Sequence, residues 1–232
     1  MLKTIILTAI YLSLPENAFA WGPMTHAYLA GEVLKLGSLL PPEVWLIIGN
    51  FRQDFLYGNL MADMIIGKRY LPKDKQIHDW DFALRLMQKA NTPSEKSFMY
   101  GFLSHLAADT VAHQTLTRQK VDIHHTWIEF MADRAIDNAC RMRSVTIKKA
   151  VQNRNDRFLK ESLSGFVFSF NTHKRIFKGV VLLSALVKKG LVQIDRSYLE
   201  RLHNESLIRM LNVLLNGKDS PVLAISPSPK DA

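Results

Sequence analysis

The sequence predicts an all-α fold, a single multi-helix domain, on three observations. Apolar residues recur at helical spacing almost throughout the chain. No alternating strand pattern and no internal repeat interrupts them. The stretch Met99–His113, with Phe98 just before it, is apolar on most sides through Phe98, Phe102, Leu103, Leu106 and Val111, the pattern of a buried helix. That helix also carries His105, Asp109 and His113 at i, i+4 and i+8, which stacks the three side chains along one stripe. An unpaired imidazole or carboxylate in such a place costs several kcal/mol, so something must compensate it. Two nitrogen ligands and a carboxylate on one stripe suit a zinc ion. A His–Asp hydrogen bond inside the core is the alternative, and the rest of the chain has to decide.

Residues 1–20 combine Lys3, an apolar run from Ile5 to Leu14, Pro15 and the triplet Ala18-Phe19-Ala20. This is the pattern of a secretory signal peptide with an A-x-A cleavage site, and its apolar run is too short for a membrane anchor. Cleavage after Ala20 makes Trp21 the new N-terminus and implies a secreted or periplasmic protein. A free α-amine and the Trp21 carbonyl can together chelate a metal in a five-membered ring, which an internal tryptophan cannot do. The mature chain is long enough for one well-buried core.

The elements follow in order. His26–Leu36 reads as a helix with Leu29, Val33 and Leu34 on its apolar side. Pro41-Pro42 opens another, packing through Val44, Trp45 and Ile48. Gly58 to Gly67 reads as a short turn or helix start around Asp63. Asp79–Lys89 is amphipathic, and Ser94 is placed to cap the central helix. Further helical stretches are expected over Asp122–Arg141, Asn155–Phe170, Lys174–Lys188 and Arg196–Leu215. The apolar run Gly179–Val187 is too short to span a membrane. The organisation expected is a signal peptide over 1–20, a helical domain over 21–216 and a flexible tail over 217–232, where Pro221, Pro227 and Pro229 fall.

The single cysteine, Cys140, excludes an internal disulfide and lacks the spacing of a thiolate metal site. It reads as a small buried residue, leaving metals to staple the fold. The net charge is +9, and lysines and arginines crowd the second half. Such a surface favours anionic partners, namely nucleic acid, phosphate esters or an anionic membrane surface, although a solvated face would carry the same charges.

Other chemistry-bearing residues join the central stripe. His125 and Glu129 stand at i and i+4, His78 opens the helix before the central one, and Asp63 lies in its turn. His26 is five residues beyond Trp21. The candidate ligands are thus Trp21, His26, Asp63, His78, His105, Asp109, His113, His125 and Glu129. His124, His173 and His203 have no such company and read as ordinary surface or core histidines.

This ordered set resembles the bacterial zinc-dependent phospholipase C family, related to the S1/P1 nucleases. The resemblance runs from Trp-Gly-x3-His after the cleavage site, through a turn aspartate and a later histidine, to Gly-x3-His-x3-Asp-x3-His and His-x3-Glu. It implies an all-α domain built around a tri-zinc site. By position, one Zn2+ takes Asp63, His78, His105 and Asp109. A second takes the Trp21 amine and carbonyl, His26 and a bridging Asp109. The third takes His113, His125 and Glu129. The chain departs from the pattern in two places. Thr110-Val111-Ala112 stand where many members carry Gln-Pro, and Met64 follows Asp63 where the phospholipases often carry an aromatic. The short Trp-Gly-x3-His opening is closer to the nuclease branch, whose usual disulfides one cysteine cannot supply.

The resemblance implies a zinc-dependent phosphodiesterase, a phospholipase C that hydrolyses phospholipid head groups. Water on zinc loses a proton near neutral pH and becomes the nucleophile. Asp63 is the expected catalytic residue, orienting or deprotonating that water besides serving as a ligand. Other readings stand beside this one. The same chemistry could act on single-stranded nucleic acid, with Trp45, Trp80 and Trp127 available for stacking. The metals could instead only staple a helical protein, or His78-Asp79 could be the pair of an HD-type phosphohydrolase.

Overall fold

A computed structural model of the chain describes residues 21–64, 76–116, 146–162, 174 and 195–228. Among these there are seven α-helices and no strand, as an all-α domain requires. They are α1 (Pro23–Lys35), α2 (Pro42–Asn50), α3 (Arg52–Met64), α4 (Trp80–Lys89), α5 (Pro93–Leu116), α6 (Lys149–Ser162) and α7 (Arg196–Asn216). No helix among the described residues is long and apolar enough to cross a membrane. The signal peptide, the helices expected over 122–141 and 174–188, the run 179–187, Trp127, His124, Cys140, His173, His125 and Glu129 lie outside them, Lys174 apart.

The long α5 is the axis of the domain. It packs most extensively against α3 and next against α7, with α4, α2, α1 and α6 also touching it. Phe98, Phe102, Leu106 and Val111 on α5 are fully buried, which explains why its apolar residues surround the helix instead of lining one side. Phe98 meets Phe158 of α6 edge to face at 6.2 Å. Its start differs from expectation: Thr92, not Ser94, closes it. Thr92 Oγ1 accepts from the Glu95 N–H, and Glu95 Oε2 accepts in return from the Thr92 N–H, with Pro93 in the first turn. This reciprocal arrangement satisfies two amides that would otherwise lack partners.

The α3–α5 crossing depends on two glycines. A Cβ at Gly58 would lie 1.8 Å from the Phe98 carbonyl oxygen, and one at Gly101 would lie 2.0 Å from that of Phe55. Backbone therefore meets backbone, and only glycine permits it. The stretch read as a turn or helix start around Asp63 is, over its described residues 58–64, the C-terminal half of α3, and Asp63 stands in its last turn.

Side-chain networks seat the outer helices. The Arg154 guanidinium donates through Nε and Nη2 to the two oxygens of buried Asp54, and Asn155 Nδ2 adds a third bond, fixing α6 on α3. Helix α6 starts at Lys149, before the Asn155 expected from the apolar pattern, because Val151 and Asn155 are already buried there. Asp195 caps α7 by accepting from the Ser197 N–H, and Gly217 ends it at φ 54°, a conformation glycine adopts without strain.

Residues 217–228 are not the loose tail expected from their prolines. They form two short 3-10 turns, Gly217–Asp219 and Pro221–Ala224, and Val222 is buried. The Trp80 indole N–H donates to the Ile225 carbonyl at 2.7 Å, and Ser228 Oγ donates to the His78 carbonyl at 2.6 Å. The prolines serve as turn formers, and the segment is held by partners far away in the chain. Residues 229–232 lie outside the described residues.

Candidate metal centre

Four elements deliver side chains to one buried point. The stripe on α5 supplies His105 and Asp109, both fully buried. The glycine-tight crossing brings the last turn of α3, and with it Asp63, onto that stripe. The turn before α4 brings His78, anchored by buried Ile77 beside it and by Ser228 on its carbonyl. The first turns of α1 bring His26, fully buried, with its ring stacked on that of His105 at 3.8 Å.

The donor atoms converge closely. His105 Nε2 lies 3.0 Å from Asp109 Oδ2 and 3.1 Å from His78 Nε2, and His78 Nε2 lies 3.3 Å from the same Asp109 oxygen. Asp63 Oδ1 stands 3.7 Å from His78 Nε2 and 3.8 Å from His105 Nε2. The remaining oxygens face the other way: His26 Nε2 is 3.1 Å from Asp109 Oδ1 and 3.8 Å from Asp63 Oδ2. Each carboxylate thus turns one oxygen to the His78–His105 pair and the other to His26.

The tautomer of His105 is set from outside the cluster. Its Nδ1–H donates to the Asn59 carbonyl at 2.8 Å, so the Nε2 lone pair points inward. Asn59 is held in turn by donating through Nδ2 to the Gly101 carbonyl at 3.2 Å. Burial, followed by the neighbouring His105, lowers the pKa of His26 and favours its neutral, ligating form. Burial opposes ionisation of Asp109, but positive charge on the adjoining His105 and His26 would outweigh it and hold the carboxyl well below the usual range, a role that a bound cation takes when the rings are neutral.

These residues fit zinc. Neither ring nitrogen of His26 and neither oxygen of Asp109 has a hydrogen-bond partner, although all are buried. Their close approaches lack hydrogen-bond geometry, and inward lone pairs at such distances repel unless a cation lies among them. Ligands around a tetrahedral zinc stand about 3.3 Å from one another, given Zn–N and Zn–O bonds of about 2.0–2.1 Å. The measured 3.0–3.8 Å brackets that value. Two overlapping groups result: His78, His105 and Asp109 on one side, and His26, Asp63 and His105 on the other.

The other predicted ligands are placed as follows. His113 is buried on the same stripe of α5, two turns beyond His105. His125 and Glu129, its expected companions, lie outside the described residues. Trp21 is buried, with its indole N–H donating to Ser206 Oγ of α7 at 2.9 Å, one helical turn before His26. Sequence reasoning missed Asn59, Ser228 and the glycine pair, because none of them carries chemistry of its own. Spacing gives no signal for a carbonyl or a hydroxyl that acts 46 or 150 residues away. It also treated Trp80 as available for stacking, whereas Trp80 is buried and bonded to Ile225.

Neither the search of curated proteins nor that of solved structures finds a match. The family model described as zinc dependent phospholipase C matches residues 25–175, more than half of the chain. That span contains His26, Asp63, His78, His105 and Asp109, the residues whose donor atoms converge. The chain therefore belongs to the zinc-dependent phospholipase C family.

Proposed function

We propose that the protein is an exported phosphodiesterase of the phospholipase C type that hydrolyses phospholipid head groups. One observation carries the reading: buried Asp109 turns one oxygen to the His78–His105 pair and the other to His26, and has a hydrogen bond to none of them. A carboxylate so placed suits a pair of zinc ions, and two-metal sites are suited to in-line displacement at phosphorus. His78, His105, Asp109 and Asp63 would hold one zinc, and His26, Asp109 and the Trp21 amine and carbonyl a second. His113, with His125 and Glu129, would hold a third. Bound zinc acidifies water to near neutral pKa and neutralises charge on phosphate oxygens.

The chain's own groups have distinct tasks in this reading. Asp63 is the most exposed of the described ligands, with 18% of its side chain open against 9% for His78 and none for Asp109. It is therefore the group best placed to accept a proton from an attacking water and to orient it. Asn59 keeps the His105 ring in its ligating tautomer. Cleavage at the Ala18-Phe19-Ala20 site would free the Trp21 amine for this role and place the protein in the periplasm or outside the cell.

The net charge of +9 supports an anionic partner, either a membrane surface or single-stranded nucleic acid. The test is zinc analysis of the mature protein with parallel hydrolysis of phosphatidylcholine, an aryl phosphocholine and single-stranded DNA. Cleavage of the choline esters supports the phospholipase reading, and cleavage of DNA alone replaces it with the nuclease. Bound zinc without turnover of any of the three substrates leaves a zinc-stapled helical protein.

A further inference from the structure

Trp21 is held at its side chain by residues outside the metal cluster. The residue is 2% exposed, although it precedes α1 and lies in no helix. Its indole N–H donates to the buried hydroxyl of Ser206, 185 residues later. One turn earlier on α7, His203 meets the indole edge to face, with centroids 5.1 Å apart, and its other neighbour is the Tyr28 ring of α1 at 5.6 Å. His203 is itself buried, and its Nε2 has no hydrogen-bond partner. A histidine in that position contributes ring contact rather than a polar bond.

A short backbone path links this contact to the metal cluster. The His26 N–H donates to the Gly22 carbonyl at 3.2 Å, so one extended residue, Gly22, separates Trp21 from the first turn of the helix that carries His26. Fixing the two side-chain torsions of Trp21 from α7 thereby limits where its own amine and carbonyl can lie. A chelate made by a chain terminus gains most from such restraint, because the free terminus would otherwise lose its own freedom on binding.

We propose that Ser206 and His203 are positioning residues that grip the Trp21 indole and so pre-set its backbone amine and carbonyl for zinc beside His26. This rests on the reading of Trp21 as a ligand. Partners behind a metal ligand commonly change metal affinity by about 10–100-fold. The clamp should act on one ion and leave the His78–His105 group alone.

The experiment is a competitive-chelator titration of the mature protein, with the visible spectrum of its cobalt-substituted form recorded alongside. Variants are Ser206→Ala, Ser206→Thr and Trp21→Phe, the last keeping the amine, the carbonyl and an aromatic ring while removing the pyrrole ring with its N–H. Ser206→Ala and Trp21→Phe should each weaken one ion about tenfold, and Ser206→Thr should restore it. Equal weakening of every ion, or no weakening in either variant, overturns the proposal. If Ser206→Ala does not fold, Trp21→Phe decides alone. A protein extended by one residue before Trp21 separates the two readings. Full zinc affinity in it refutes Trp21 as a ligand. Loss of one ion there, with Trp21→Phe and Ser206→Ala unaffected, refutes only the clamp.

Discussion

Replacing Gly58 by alanine tests the geometry on which the metal centre rests. The added Cβ would stand 1.8 Å from the Phe98 carbonyl oxygen and 2.7 Å from its carbon, both backbone atoms within α5. No side-chain rotation relieves such a contact, so α3 and α5 must part by about 1.5 Å before ordinary van der Waals separation returns. Overpacking of this kind costs about 1–3 kcal/mol and occasionally more, against which alanine's better helix propensity returns about 1 kcal/mol. Because the obstacle is backbone, the upper end applies, and a net loss of about 2 kcal/mol is expected. In a domain of this size that lowers the melting temperature by roughly 4–8 °C. The same movement draws Asp63 away from His105 and Asp109, so zinc affinity should fall by about tenfold or more. Gly49→Ala is the control, since its Cβ would meet only the Trp45 ring at an ordinary 3.6 Å. Thermal melts of apo and zinc-loaded protein, with a chelator titration, measure both quantities. A Gly58→Ala protein that melts and binds zinc like the wild type would refute the argument that this crossing sets the site.

Three further outcomes follow from the geometry. Asp109→Asn removes the charge that faces both histidine groups and should lose two ions together with hydrolysis, whereas Asp63→Asn should keep most zinc and still lose turnover; zinc per chain and phosphodiester hydrolysis measured on one preparation check the pair. Chelation of zinc should lower the melting temperature by many degrees, since the cluster ties α1, α3, α5 and the turn before α4 together and tight sites contribute on the order of 10 kcal/mol in model peptides; an unchanged melt after verified metal removal would contradict it. Burial lowers the His203 pKa to about 4 from its ordinary 6.5, so the unfolded chain takes up this proton first as pH falls. The neutral ring's contribution is thus complete above about pH 6.5 and is lost towards pH 4, by about 3 kcal/mol. Chemical denaturation of chelator-treated wild type and His203→Phe at pH 7 and pH 4.5 should show a smaller acid loss in the variant, and parallel losses would count against it.

What the sequence determined by itself is local. The i, i+4 spacing of His105 and Asp109 within an apolar run places them on one buried stripe wherever the helix packs, because helical periodicity alone decides it. The same holds for the helix read from Asp79, which the structure starts at Trp80 with Asp79 accepting from the Phe82 N–H, and for Pro42 at the start of α2. Where the code was ambiguous, short-range reading failed. Gly58 has the look of a turn because glycine disfavours helices, yet inside α3 it is the absence of a Cβ that the crossing uses. The prolines after Gly217 suggest a loose tail, but the Trp80 indole and the His78 carbonyl supply partners that no neighbouring residue reveals. Only the tertiary structure decided that Asp63 stands opposite Asp109, that each turns one oxygen to His26 and the other to His78 and His105, and that α7 reaches back to Trp21. Those are meetings between elements far apart in the chain. They are fixed by which helix surfaces approach most closely, a property of the packed pairs and not of any one segment.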